Sequence, residues 1–555
     1  MIEVVIKRDG SKEAFNAGKL NKWAEWASSN LGDFVDWPSV AMQAVSTLGK
    51  ECTSKQLQER LIRVCLDNDS WSYYKMAGRL LAAILNKEIF PEGKPTVQEL
   101  HKSLVKKGLM VDLGYTDSEY AAIEGIIDHD LDFNCVYFGL DFINGKYANK
   151  DRTKNEVYET TQFVYMRMAM ALSKDEVDKV KEVSEWYKLF SENVINAPTP
   201  NYVNLGTKLN GLSSCCVYTT NDTWPSLAAG NHIDYVMTCM SSGIGSHIKT
   251  RSVGDGVRSG AIKHMGKLPY YRAIQGAVQA NMQAGRGGAA TVYYTCYDPE
   301  VLDLLQLRNP RQTEDKRIRG LHYNMGSNKT FARAVAKNED VFGFSYKDSP
   351  ELYEAQYEGD QTNFEQLYDK YSKTRKAAKY KINAREVLVT SLTEAFETGT
   401  AYLHFTDEMN RHTPFKDKIY SSNLCVETAF PTKGYSGVEE LYSPVFLHSE
   451  DGLGKQEPEI GLCSLAAINV ANIKNDAHYA KAAYYALKMI DKCIHMSDFA
   501  FPHLELTAKA RMNAGVGIVG LAHYMAKNKK FYSSQEGKDK IHELAETHSW
   551  HVINA

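Results

Sequence analysis

The stretch Ser422-Asn-Leu-Cys-Val-Glu427, followed by Pro431-Thr-Lys433, sets an amide, a thiol and a carboxylate almost side by side. Read as extended backbone, Asn423, Cys425 and Glu427 stand at i, i+2 and i+4, and alternation carries all three to one side, facing one pocket. Two other segments, Leu212-Ser-Ser-Cys-Cys216 and Gly461-Leu-Cys-Ser-Leu465, also place thiols beside polar residues. Spacing alone does not bring the three together, and a cysteine taken singly reads more readily as a small buried hydrophobe.

The chain around these segments has 555 residues, which at roughly 100 to 200 residues per domain predicts about three or four domains and a sizeable core. Apolar residues make up 43% and charged residues 24%, which excludes a disordered polyelectrolyte and a fibrous protein. With 65 basic against 68 acidic residues the formal charge is −3, so no bulk field draws the chain to nucleic acid or an anionic membrane. Phosphate binding must be local. No apolar run approaches the ~18 residues that span a bilayer, and the first ten residues lack a basic-then-apolar signal, so the reading predicts a cytoplasmic enzyme. The 10 cysteines have no regular spacing, and any disulfide among them is expected to be chemical rather than structural.

Towards the amino terminus, Ile2, Val4 and Ile6 alternate and Asp9-Gly10 supplies a turn, predicting a β-hairpin. Asn16 caps a helix whose apolar residues Leu20, Trp23, Ala24 and Ala27 share a face, and Thr53 with Gln56 forms a capping box ahead of Leu57, Leu61, Val64 and Cys65. A third helix carries Tyr73, Ala77, Leu80 and Ile84. From 96 to about 200 the pattern stays helical, with Ser173-Lys-Asp-Glu-Val-Asp-Lys179 read as a solvated helix face. After Pro198 and Pro200, short apolar runs and glycine turns suit α/β architecture. Residues 357–381, rich in Tyr, Lys and Asp, read as an exposed helical excursion, with a partner surface as the alternative.

Two patterns carry no function. Gly515-Val-Gly-Ile-Val-Gly520 has the letters of a dinucleotide fingerprint, but a helix is predicted before it and the glycine run itself reads as a buried strand. His542 and His548 are six apart rather than the four that would put them on one helix face as metal ligands, and they read as solvated. No metal site is expected.

The cysteine signature, Ser213-Ser-Cys215, Gly243-Ile-Gly245, Arg286-Gly-Gly-Ala-Ala-Thr291, Cys463 and Lys7-Arg8-Asp9-Gly10 fall in one order along the chain. In that order the sequence resembles the large, catalytic subunit of aerobic class I ribonucleotide reductase from its first residues to its last. The resemblance implies an ATP-cone over 1–95, a helical domain over 96–205, and over 206–555 the first part of a ten-stranded α/β barrel of two five-stranded parallel half-sheets around a finger loop. It implies that Cys425 holds a thiyl radical, Glu427 acts as general base, Asn423 orients substrate, and Cys215 with Cys463 closes a disulfide. Adjacent residues of a strand face opposite sides, and the family register favours Cys215, leaving Cys216 to packing.

The resemblance further places Thr199, Ser214, Gly243 and Arg286 near the substrate, a ribonucleoside diphosphate. Asp222, Arg251 and Arg258 fall at the specificity site for a deoxynucleoside triphosphate, where guanidinium groups suit phosphate. Their bland reading is surface ion pairs. Lys7, Arg8, Glu13, Thr53 and Lys87 match positions around a cone triphosphate, ATP or dATP, with magnesium as its counter-ion. Leu57 stands where many relatives under dATP control carry histidine. Gln283-Ala-Gly-Arg-Gly-Gly288 resembles the loop that relays effector identity to the substrate base, with a plain glycine turn as the alternative.

No Pro-Ser-Glu-type phosphate loop, relay tyrosine pair or tail cysteine pair follows Trp550-His-Val-Ile-Asn-Ala555. The expectation is that a second polypeptide supplies the rest of the barrel. Other expected partners are a small radical-generating subunit with a dinuclear metal centre, a thioredoxin- or glutaredoxin-type reductant, and a second copy of the alpha unit; nucleic acid and membrane are not expected. The rival reading is a nucleotide-binding regulatory or assembly protein without turnover, against which Cys215, Cys425, Glu427 and Cys463 all stand intact.

Overall fold

The computed structural model describes residues 2–280, 288–443 and 458–555. The chain forms two compact units, one of Met1–Leu209 with Ala467–Ala486 and Ile518–Ala555, the other of Asn210–Ala466 with Leu487–Gly517.

In the first unit the predicted hairpin is present as β1 (Val4–Ile6) and β2 (Lys12–Ala14), followed by α1 (Ala17–Ser28), α2 (Trp37–Ser46), β3 (Glu51–Thr53), α3 (Ser54–Asp67) and α4 (Trp71–Ile89). The Asn16 side chain accepts the Lys19 N–H, and Thr53 and Gln56 cap each other's backbone at the start of α3. β3 lies parallel to β1, a pairing that its three mixed residues do not signal. Ala24, Leu61, Cys65, Ala77 and Leu80 close the core of this cone.

Next come α5 (Val97–Lys106), α6 (Asp117–Glu124), α7 (Tyr137–Phe142), the ribbon β4 (Lys150–Asp151) and β5 (Glu156–Val157), α8 (Thr161–Ser173), α9 (Lys179–Ser191), β6 (Ile195–Asn196) and α10 (Thr199–Asn204). Arg167 on the fully buried α8 pairs with Glu159 at 2.8 Å and donates to the carbonyls of Leu205 and Tyr202, so both charges are satisfied inside the unit. The Ser173–Lys179 stretch is not a helix face. Ser173 ends α8, Lys179 begins α9, and residues 174–178 are the turn between them, where three acidic residues leave no apolar periodicity to continue the helix.

The second unit is built on β7 (Cys215–Thr220), α11 (Trp224–Cys239), β8 (Gly243–Ile248), the small hairpin β9 (Gly256–Val257) and β10 (Ile262–Lys263), α12 (Leu268–Ala280), β11 (Ala290–Thr295), α13 (Val301–Leu305) and β12 (Leu321–Ser327). A second hairpin, β13 (Asp340–Phe342) with β14 (Lys381–Asn383), precedes β15 (Ala401–Phe405), β16 (Gly461–Asn469) and β17 (Ala514–Val519). The main sheet runs β15-β12-β11-β8-β7-β16-β17. Its strands β15, β12, β11, β8 and β7 are mutually parallel and β16 turns antiparallel to β7, as in one complete five-stranded half of a barrel with the next half begun.

Register decides what each sheet face carries. Cys216, Tyr218, Ile244, Val292, Tyr294 and Tyr323 lie on the side packed with Ile233 and Met237 of α11 and Tyr271, Ile274 and Val278 of α12. The alternate residues face the other way: Cys215 beside Gly243, Val217 beside Gly245 and Thr219 beside His247, then Thr291 and Tyr293 on β11 and Asn324 on β12. This is the face that receives the segment quoted at the outset.

Three expectations are corrected here. Residues 357–381 are not an exposed excursion: Tyr357, Phe364 and Ala377 are buried, and Phe364 packs on Tyr297 with ring centroids 5.4 Å apart. The polar residues that suggested exposure occupy only the outer side of an amphipathic helix, Thr362–Ser372. The glycine run near 515 is a strand preceded by helix Pro502–Arg511, as read, but it is half exposed because β17 is an edge strand of the sheet. His548 is not simply solvated either; its Nδ1 pairs with the Tyr479 hydroxyl at 2.8 Å.

Candidate active site

Cys463 on β16 stands directly opposite Cys215 on β7, and Cys215 stands beside Gly243 on β8. Three sequence-distant segments are therefore joined by ladder hydrogen bonds. Into this face fits the 422–428 segment, because β8 presents glycines where side chains would collide. A Cβ on Gly245 would lie 2.1 Å from Ser422 O, and one on Gly243 would lie 2.7 Å from Leu424 Cδ2 and 3.1 Å from Cys215 Sγ. Cys215, Leu424 and Cys463 form one small apolar cluster with Ala289, Phe430 and Leu465 around it.

The segment is a turn, not the extended strand read from its alternation. Val426 N–H donates to the Asn423 carbonyl at 3.3 Å, and Val426 has φ +66°, a left-handed conformation unusual for a β-branched residue. Asn423 Oδ1 accepts the N–H groups of Glu427 at 3.1 Å and Thr428 at 3.3 Å, so the amide staples the turn from within. Ser422 Oγ donates to the Thr428 carbonyl and accepts its N–H. From β11, the hydroxyls of Tyr293 and Thr291 donate to the carbonyls of Asn423 and Leu424 at 2.5 and 2.7 Å. Cys425 and Glu427 are exposed at the apex while Asn423 is fully buried beneath them.

The three thiols do converge. Cys215 and Cys425 share a side-chain hydrogen bond, and this bond, burial, and the charges of neighbouring groups including Glu427 hold the Cys215 thiol well above its ordinary range. Burial, then the Glu427 charge, pushes Cys463 up to about 12, against a hydrogen bond from Ser214. Asn423 Nδ2 lies 3.9 Å from Cys463 Sγ, and Ser214 Oγ donates to the Cys463 carbonyl at 3.3 Å. All ten cysteines are thiols. Cys216, on the opposite face, is fully buried in the helix-packed core, whereas Cys215 faces Cys463 and the turn. Among the described residues no cluster of His, Cys, Asp and Glu forms a metal site.

The remaining predicted residues are placed as follows. Thr199 opens α10 in the first unit, its hydroxyl 3.1 Å from that of Tyr147. Arg286 and nearly all of the glycine loop around it lie outside the described residues. Asp222 pairs with Arg251 at 2.9 Å, the ion pair of the bland reading, and Arg251 also donates to the Gly256 carbonyl; Arg258 is exposed at the tip of the β9–β10 hairpin. In the cone, Lys7 and Lys19 pair with Glu13, Arg8 donates to Gln58 at 3.0 Å, and the Thr53 hydroxyl is the helix cap already described. Lys87 lines a groove of about 700 Å³ with Arg8, Trp23, Asn86 and Lys94. Thr291 and Tyr293 were missed as supports of the turn. Thr291 sat inside a motif quoted for other reasons, whereas nothing in the sequence links Tyr293 to a carbonyl 130 residues away.

Comparison with known proteins adds the family to this geometry. Residues 213–555 match the ribonucleotide reductase barrel domain, 133–210 its all-alpha domain, and 3–81 the ATP cone domain. Such a domain series defines a barrel reductase that carries a nucleotide-binding cone. The chain belongs to the ribonucleotide reductase family as a class I large, alpha, subunit. It is 30% identical to the ribonucleoside-diphosphate reductase subunit alpha of Haemophilus influenzae over 100% of this chain and 73% of that one. It is 30% identical to the ribonucleoside-diphosphate reductase 1 subunit alpha of Escherichia coli over 100% and 72%, and 24% identical to the ribonucleoside-diphosphate reductase subunit alpha of Helicobacter pylori over 99% and 74%. No helix among the described residues is long and apolar enough to cross a membrane.

Proposed function

We propose that this chain reduces ribonucleoside diphosphates to deoxyribonucleoside diphosphates by thiyl-radical and dithiol chemistry. The observation that carries the reading is the convergence of Cys215, Cys425 and Cys463 on one sheet face, two opposed across a ladder and the third on a stapled turn above them.

In this reading Cys425, as a thiyl radical, takes the hydrogen atom from the ribose 3′ carbon, and Glu427 takes the 3′-hydroxyl proton. Cys215 gives a proton to the departing 2′-hydroxyl, which leaves as water. Cys215 and Cys463 then supply the electron pair, forming their S–S bond and giving up the second proton, and the 2′ carbon gains hydrogen. Glu427 returns its proton to the 3′ oxygen and Cys425 its hydrogen atom to the 3′ carbon, so the balance is one diphosphate and one dithiol converted to deoxynucleotide, disulfide and water. The elevated thiol pKa values suit this role, since Cys215 must arrive protonated to act as an acid. Asn423 uses its carbonyl oxygen on the turn, which leaves its Nδ2 to face the ribose beside Cys463. Ser214, Gly243, Thr199 and Arg286 are assigned to substrate binding.

Asp222, Arg251 and Arg258 are assigned to a deoxynucleoside triphosphate effector, and Lys7, Arg8, Glu13, Thr53 and Lys87 to a cone nucleotide. The radical is supplied by a small subunit with a dinuclear metal centre, electrons by a thioredoxin- or glutaredoxin-type protein, and the working unit is a dimer of alpha chains. The half-exposed β17, last in the order of the sheet, is assigned to receive further barrel strands from whichever polypeptide carries them. The test is cytidine diphosphate reduction with radical subunit, barrel complement and dithiol supplied: the wild-type chain turns over and Cys425→Ser does not. Equal activity of the two would defeat the radical role.

A further inference from the structure

The segment from Val253 to Lys267, between β8 and α12, doubles back as the β9–β10 hairpin and carries Arg258 at its tip. Its two ends meet at a single side chain. Glu300, immediately before α13, accepts the Val253 N–H through Oε2 at 3.0 Å and the Lys267 N–H through Oε1 at 3.3 Å. Gly266 makes the approach feasible: it has φ +82°, and a Cβ there would lie 2.2 Å from Glu300 Oε1. The neighbouring Asp298 anchors the same end a second time. Its Oδ2 holds Lys267 Nζ at 2.6 Å in a buried pair, while its Oδ1 accepts the Glu300 N–H at 2.9 Å.

Within the hairpin the ends are continuous with the tip. Gly254 N–H donates to the His264 carbonyl at 2.9 Å, His264 N–H to the Asp255 carbonyl at 2.8 Å, and the Gly256 carbonyl accepts from Arg251, whose Nε is paired with Asp222. Fixing the ends thus fixes Arg258 and the Arg251–Asp222 pair against one another. Burial and the Asp298 charge push Glu300 up to about 7, while Lys267 and the two N–H donors draw it down.

We propose that Glu300 is a positioning residue for nucleotide regulation: its two carboxylate oxygens clasp both ends of the Val253–Lys267 hairpin and set where Arg258 and Arg251 meet a deoxynucleoside triphosphate. The proposal rests on the effector-site assignment above for its ligand and on the clasp for its geometry. A carboxylate is required because two acceptors are needed. Glutamine keeps one acceptor and turns an NH2 donor towards the other N–H, so Glu300→Gln opens one half of the clasp without changing its size.

Hydrogen exchange at the Val253 and Lys267 amides and trypsin cleavage after Arg258 read the clasp, and the dissociation constant for dTTP reads its consequence. Glu300→Gln is expected to speed exchange and cleavage and to weaken dTTP by about tenfold, the scale of one lost charge-assisted hydrogen bond. Gly266→Ala, which drives the carboxylate away by a different route, should do the same. On an Arg258→Ala background, Glu300→Gln should add little, a non-additivity that a purely structural role would not produce. Wild-type exchange in both variants, or wild-type dTTP affinity in Glu300→Gln while Arg258→Ala loses binding, overturns the clasp. If Arg251→Ala and Arg258→Ala also bind dTTP as the wild type does, the effector assignment fails and takes the proposal with it.

Discussion

The thiol site of the barrel sheet and the charged tip of the cone are assembled by opposite means. At the first, Cys215 and Cys463 are fixed by strand register, and the Ser422–Thr428 turn is fixed by buried hydrogen bonds from Asn423, Thr291 and Tyr293. At the second, Lys7, Lys19 and Glu13 pair with each other on exposed surface, and Glu88 is shared by Lys55 at 3.1 Å and Arg8 at 4.0 Å. A buried, register-held site is organised before any ligand arrives, so a change there strikes the chemistry itself. An exposed ion-pair cluster is worth little to stability and can exchange partners, which suits a regulatory site where a phosphate takes the place of a carboxylate.

The sharpest way to break this contrast is at the thiol. Cys425→Ser should lower diphosphate reduction by on the order of 10⁴-fold or more, as expected for loss of the hydrogen-abstracting group, with an unchanged melting temperature because the residue is exposed. Gly245→Ala comes next. The atoms it meets are backbone, Ser422 O and Asn423 Cα, so the turn must leave the sheet; activity should fall to background, with a loss of at least about 3 kcal/mol in calorimetry. Gly243→Ala should cost less, since the Leu424 side chain it meets can rotate away.

Acid supplies a third test. Burial pushes His404, on the same sheet face, down to about 4, below an unfolded value near 6.5. The unfolded chain then binds the proton more readily, so stability is complete above about pH 6.5 and is lost as pH falls towards 4, by about 3 kcal/mol at most. Denaturant titrations at several pH values should show this slope, and His404→Asn should flatten it. In the cone, Thr53→Ala removes a capping box and should cost about 1 kcal/mol. Glu13→Gln, at the exposed cluster, should leave the melting temperature where it was while changing nucleotide binding.

Much of this contrast was readable from the chain. Hydrophobic alternation, Asp9-Gly10, Asn16 and the Thr53/Gln56 box are local signals, and the cone follows them closely. The identity of the three thiols was legible through their surrounding motifs, but not their pairing, because sheet register links residues whose separation leaves no trace in either segment. The turn at Cys425 was misread for a physical reason. Polar residues at i, i+2 and i+4 suit a strand, and the competing signal, an asparagine side chain able to accept backbone N–H groups four and five positions on, acts only once the chain has turned. Residues 357–381 failed similarly: their tyrosines were counted as polar, whereas Tyr357, Tyr368 and Tyr371 lend their rings to the core and direct only a hydroxyl to a partner or outwards.

The most direct test of the central claim is to treat the reduced native chain with one equivalent of diamide, block remaining thiols, and map cross-linked peptides. A single bridge joining Cys215 to Cys463, with Cys425 recovered as a thiol, is the predicted result. Recovery of Cys215 and Cys463 as separate thiols, or a bridge from either to any other cysteine, would contradict the account.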